Sequence, residues 1–238
     1  MRFSKDTTRR VAVFLLSLFL MGCASLVGPD IKPGIALFEA GKYGASLEHY
    51  ETIIKAGKAN GKVYRLAYES AFKAGKRVTA GKYYQEAIKA GFDSDSLVSL
   101  ATNLWYDRAL TTMGSNNWKE ARKAAAQIGD LAKDSKQEKF CTLILAGKKK
   151  FDRGAHKGLW DAISDYSKAA NYDKNSGLPY FLMGQARYKN NRTDYDAALE
   201  DYYEAIRIEP DGAFIKQAKA DIKKIEGVKK KMNAFWGK

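Results

Sequence analysis

The chain has 238 residues, with 41 Lys or Arg against 27 Asp or Glu, for a formal charge of +14 near neutral pH. A basic protein of this size is drawn to anionic surfaces. Two cysteines cannot build a disulfide framework, and two histidines leave little for imidazole-based metal or nucleophile chemistry.

Residues 1–10 carry Arg2, Lys5, Arg9 and Arg10 against Asp6, and residues 11–21 form a mostly apolar run. That run is too short to span a bilayer, which takes about 20 residues. The arrangement predicts a secretory signal peptide over 1–22. The run ends Leu20-Met21-Gly22-Cys23-Ala24, which resembles the lipobox of bacterial lipoproteins. The resemblance implies a diacylglyceryl group on the Cys23 sulfur, cleavage before Cys23 and acylation of the new amino group, so that acyl chains such as palmitate anchor the chain. Ala24 is not the Asp that retains such proteins in the inner membrane, which implies the periplasmic face of a bacterial outer membrane. Loss of 1–22 removes four basic and one acidic side chain and leaves +11. Export argues against nucleic acid as the partner of that charge. Anionic lipid headgroups, acidic proteins and anionic cell-wall polymers remain, beside the plain role of lysines in solvating helix exteriors.

Residues 23–32 read as a short lipidated tether, broken by Gly28-Pro29-Asp30 and followed by Pro33-Gly34. Helical periodicity then predicts pairs at 34–40 with 43–56 and at 61–74 with 77–90, with Gly75 and Gly91 ending helices. Residues 57–62 hold two glycines, each followed by a lysine, but the spacing is one short of a phosphate loop and Val63 stands where Ser or Thr should be. A third pair is expected at 94–113 and 118–131, joined by the capping turn Ser115-Asn116-Asn117. A fourth combines 136–152 with 158–171 across a long connection over 152–157; within it Cys141 reads as a small core residue. The fifth spans 178–190 and 194–208, with a lengthened turn at 190–193, and Pro210 ends the series. Residues 213–235 form a basic helix with Ile215, Ala218, Ile222 and Ile225 on one stripe, which suits a solvating cap and also suits a helix lying on a membrane.

The pairs repeat one another. Ala162, Ile163, Tyr166 and Ala169 match Ala198, Leu199, Tyr202 and Ala205 at an offset of 36; Ser46, Tyr50 and Ile53 match Ala80, Tyr84 and Ala87 at 34. Small residues let two helices approach, and the Tyr one turn later fills the space beyond. The Ala-Gly dipeptides at Ala40-Gly41, Ala56-Gly57, Ala74-Gly75, Ala80-Gly81, Ala90-Gly91 and Ala146-Gly147 read mostly as helix ends. A unit of about 34 residues of this kind resembles the tetratricopeptide family over residues 33–210. The resemblance implies an all-α fold, an α-solenoid of about five antiparallel helix pairs, with a basic capping helix over 211–238.

In tetratricopeptide proteins the first helix of each pair lines a concave face that commonly holds a partner segment. The resemblance therefore points to Lys62, Arg65, Glu69, Phe72 and Lys73 in the second repeat, a basic wall. In the fifth repeat it points to Tyr180, Gln185, Tyr188 and Lys189. Neither His49 nor His156 has a neighbour at ligand spacing, so no metal, cofactor or catalytic residue is expected and the chain does not read as an enzyme. The carboxylates Asp161, Asp165, Asp194, Asp196, Glu200, Asp201 and Glu204 read as solvated faces. The functional expectation is a lipid-anchored periplasmic scaffold that binds an envelope protein, in outer-membrane protein, pilus secretin or cell-wall enzyme assembly. Alternatives are a small-ligand-binding accessory of a transport system and a basic tether to the cell wall.

Overall fold

The computed structural model describes residues 28–190 and 195–236. The expected signal peptide, Cys23 with residues 24–27 of the expected tether, and residues 191–194, where a lengthened turn is expected, lie outside them. The described residues are all-α: α1 (Lys32–Glu39), α2 (Tyr43–Lys55), α3 (Gly61–Lys73), α4 (Arg77–Lys89), α5 (Ser94–Gly114), α6 (Trp118–Leu131), α7 (Lys136–Arg153), α8 (His156–Ala170), α9 (Leu178–Asn190), α10 (Tyr195–Ile208) and α11 (Ile215–Phe235). Four of the five expected pairs pack helix on helix: α1 with α2, α3 with α4, α7 with α8 and α9 with α10. The chain divides into two compact units, up to Leu97 and from Val98 onward, and the division falls within α5.

In the first unit α1 packs on α2 and α3 on α4, and α2 joins the two pairs through α3. Each of these four helices stops in the same way. Gly41, Gly57, Gly75 and Gly91 have φ between 69° and 78°, a conformation that only glycine adopts freely. The turn lets a backbone N–H reach back to a fraying carbonyl, as Lys42 N does to Leu37 O at 2.9 Å and Lys76 N to Ala71 O at 2.9 Å. Ser46 is fully buried at the crossing, where its hydroxyl donates to Gly34 O at 2.8 Å and meets the Ser70 hydroxyl at 3.0 Å. A small residue is needed there, and its polar atom is satisfied. On α4 it is Tyr83, not Tyr84, that is buried; it donates to Glu51 at 3.0 Å, while Tyr84 stands edge-on to the buried Tyr68 of α3.

In the second unit α7 packs on α8, α8 on α9 and α9 on α10, and α11 covers α10. Ala162, Tyr166, Ala198 and Tyr202 are all fully buried. The repeated tyrosines need a partner that periodicity alone does not reveal. Tyr166 lies against Gly147, where an added Cβ would stand 2.5 Å from the ring, and Tyr202 lies against Gly184, where it would stand 3.1 Å away. Gly34 beneath Tyr50 repeats the arrangement in the first unit, at 2.6 Å. Gly147 is thus an interior packing site of α7 and does not mark a helix end; Gly81 is likewise interior to α4, and open to solvent. The third pair, α5 with α6, has neither feature, Ala125 standing where a Tyr would. Its two helices approach less closely than those of the other pairs.

Two further expectations are corrected. The connection over 152–157 is short: Gly154, at φ 71°, ends α7 and α8 starts at His156. Asp165 and Asp201 are not solvated. Lys150 reaches Asp165 at 2.6 Å and Arg187 reaches Asp201 at 2.7 Å, cation and carboxylate coming from the two helices of one pair. Burial raises the Asp201 carboxyl to about 6, and Arg187 offsets only part of that rise. An unfolded Asp titrates near 3.9, so the native state binds more protons between about 4 and 6. The favourable contribution of this protonation is complete below about pH 4 and is lost as pH rises through about 6. Asp201→Asn should therefore remove about 3 kcal/mol of pH-dependent stability across that window. Urea midpoints at pH 4 and pH 7, compared between parent and variant, measure it; an unchanged difference would refute the assignment.

Candidate functional site

The second unit holds a cleft built from the faces of α7, α9 and α11, with the turn after α5 at one end. Two adjoining hollows of about 650 Å³ and 590 Å³ share Asn116, Gln185 and Gln217. Each helix contributes residues three or four apart, which a helix places on one side. From α7 come Lys148 and Phe151, from α9 Gln185, Tyr188 and Lys189, and from α11 Gln217, Asp221 and Lys224.

Ammonium groups and rings alternate along this surface. Lys148 Nζ lies 5.1 Å from the Trp118 ring centroid and 5.7 Å from that of Phe151. Lys189 Nζ lies 4.4 Å from the Phe151 centroid and donates to the Phe151 carbonyl at 3.1 Å. Lys224 Nζ lies 5.5 Å from the Tyr188 ring. Such contacts hold a lysine against a ring without neutralising it. Lys148 is paired with Asp152, whereas Lys189, Lys216 and Lys224 face no carboxylate partner among the described residues. Asp221 is occupied internally, accepting from Gln217 Nε2 at 2.8 Å and from the Tyr202 hydroxyl at 3.3 Å. Burial, and then the Asp221 charge, hold the Tyr202 hydroxyl protonated, so it remains a donor. The cleft is therefore electropositive, with rings between its charges. Its chemistry is attraction and stacking; among the described residues no three His, Cys, Asp or Glu side chains gather as a metal would need.

Of the residues expected from sequence, Gln185, Tyr188 and Lys189 come together here. Tyr180 is half-buried elsewhere on α9, on the side of Arg207. The second-repeat set lies on α3 in the first unit. Lys62 and Lys73 are exposed, but Arg65 and Glu69 bind each other at 2.7 Å. Phe72, expected on the groove wall, is only 6% exposed and has the Arg77 guanidinium 4.9 Å from its ring centroid. It follows Tyr68 by one turn and faces the core with it. Lys148, Phe151, Gln217 and Lys224 were not anticipated. Aligning the first helices of the last two pairs would have found two of them, since Lys148 and Phe151 precede Gln185 and Tyr188 by 37 residues, one more than the offset of 36 between the second helices. Cys141 is buried in the core as expected, and burial pushes its thiol up to about 12.

No family model matches the chain, and no curated protein sequence matches it. Among solved structures it is similar to YrrB, a TPR protein with an unusual peptide-binding site, at 16% identity over 86% of this chain and 97% of that one, with a TM-score of 0.42. It is similar to MamA MSR-1 C2 at 12% identity over 75% of this chain and 94% of that one, with a TM-score of 0.40. It is also similar to the TPR2AB domain of yeast Sti1 in complex with pHSP90, at 17% identity over 81% of this chain and 83% of that one, with a TM-score of 0.33.

Proposed function

We propose that this chain is a lipid-anchored scaffold of the cell envelope that holds a segment of a partner protein in the cleft of its second unit. The observation that carries the reading is the row of Lys148, Lys189 and Lys224 set against Trp118, Phe151 and Tyr188. Rings offer sequence-tolerant contact area, and Lys189 and Lys224, which face no carboxylate among the described residues, favour a segment that brings its own. An open cleft of this chemistry suits a chain segment better than a small apolar molecule, which needs enclosure. The lipobox-like segment ending at Cys23 supports anchoring by acyl chains, and Ala24 supports the periplasmic face of the outer membrane. Assembly of outer-membrane proteins, secretins or cell-wall enzymes is the setting in which such a scaffold acts.

A photo-crosslinking side chain in place of Gln185 tests the reading directly in cells. One defined protein adduct is expected. Lys189→Glu with Lys224→Glu should weaken it at least about tenfold, the scale on which like-charge juxtaposition rejects a partner. Charge reversal at Lys62 and Lys73 in the first unit should leave it intact. No adduct, or one equally strong in both charge-reversed chains, would sink the cleft as the binding site. Capture that disappears evenly with salt, whichever lysines are changed, would instead favour a basic tether to the cell wall.

A further inference from the structure

The end of α11 carries a second surface that is independent of the cleft. Ala218, Ile222 and Ile225 bury the inner face of this helix in the second unit. Ten residues beyond Ile225 the pattern changes. Phe235 is 79% exposed and Trp236 69% exposed, and their rings meet edge to face with centroids 5.2 Å apart. Two neighbouring large aromatics this open to water are a poor arrangement unless something covers them. Lys230 and Lys231 are exposed one turn before them. The nearby carboxylates are engaged elsewhere, Asp196 by Lys229 and Glu226 by the Tyr203 hydroxyl at 2.7 Å. The tip therefore presents two rings and two uncompensated ammonium groups.

We infer that this tip docks on an anionic phospholipid surface, the Phe235–Trp236 pair entering the headgroup layer and Lys230 and Lys231 meeting phosphates. Charge complementarity selects the occupant: the rings favour the boundary between headgroups and acyl chains, and the lysines favour its negative lipids. The rings stand at the end of a helix and form no groove, which fits a soft layer that closes around them better than the pre-shaped pocket of a protein. The contact is peripheral, since no helix among the described residues is long and apolar enough to cross a membrane.

The test uses the full chain with phosphatidylcholine vesicles carrying brominated acyl chains, with and without phosphatidylglycerol. Bromine quenches only tryptophans near the acyl region, so the quenching lost on Trp236→Phe belongs to that side chain even though the apolar N-terminal segment is present. The expected result is Trp236 quenching on anionic vesicles, little on neutral ones, and at least about a tenfold weaker lipid affinity for this component in Lys230→Glu/Lys231→Glu. These positions are exposed, so helix content by circular dichroism should not change. Unaltered quenching in Trp236→Phe, or equal quenching on neutral vesicles, overturns the inference. So does a Trp236 spectral change that follows protein concentration without lipid, which would assign the tip to a second copy of the chain.

Discussion

Replacing Tyr202 with Ala should destabilise the second unit by about 4 kcal/mol, the cost of deleting a large aromatic from a core that cannot collapse. Tyr202 is fully buried, its ring packed against Gly184 on one helix and 6.0 Å from the Phe181 centroid. Gly184 has no side chain with which to refill the space, and the helix backbones around it are held by their own hydrogen bonds. Tyr202→Phe keeps the ring and loses only the hydroxyl bond to Asp221, which Gln217 still engages, so about 1 kcal/mol is expected. Urea unfolding followed at 222 nm separates the two variants. Should Tyr202→Ala cost no more than Tyr202→Phe, packing of tyrosine on glycine is not what closes the helix pairs.

A matched pair of glycine substitutions should change stability in opposite directions. Gly81 and Gly147 both follow an alanine and both lie inside helices. Gly81 is exposed with nothing within 4 Å of an added Cβ, so Gly81→Ala should stabilise by about 1 kcal/mol through helix propensity and reduced unfolded-state entropy. Gly147→Ala gains the same propensity, but its methyl would stand 2.5 Å and 2.8 Å from two atoms of the fully buried Tyr166 ring. The ring cannot withdraw without displacing its neighbours, and a net loss of about 3 kcal/mol is expected. Thermal melts of the two variants beside the parent measure the contrast. A stabilising Gly147→Ala would mean that the α7–α8 contact is looser than described.

These glycines also mark where the sequence stops being legible. Helix positions and their pairing followed from local signals: small residues at three- and four-residue steps, glycines where a left-handed turn is required, and the asparagine cap at Asn117, which accepts from Glu120 N at 3.4 Å. Local pattern says nothing of what stands across the hairpin. Gly147 under Tyr166, Lys150 with Asp165 and Arg187 with Asp201 depend on how far one helix is shifted along its partner, which is a tertiary quantity. For that reason carboxylates that look solvated by helical step turn out to be engaged. The same gap divides the candidate site. Gln185, Tyr188 and Lys189 were found because they share one helix, whereas Lys148, Phe151, Gln217 and Lys224 reach the cleft from helices before and after it.

The agreement between the last two pairs has a consequence for how such a chain can grow. Gly147, Lys148, Lys150 and Phe151 of α7 correspond one for one with Gly184, Gln185, Arg187 and Tyr188 of α9, while Tyr166 and Asp165 correspond with Tyr202 and Asp201. Tyrosine on glycine and carboxylate on cation are thus internal fittings of each pair and make no demand on the next. A tandem duplication of residues 178–210 would import its own fittings and offer its successor the surface it was itself offered. Cleft length is then a countable property, extended by whole copies like beads added to a string.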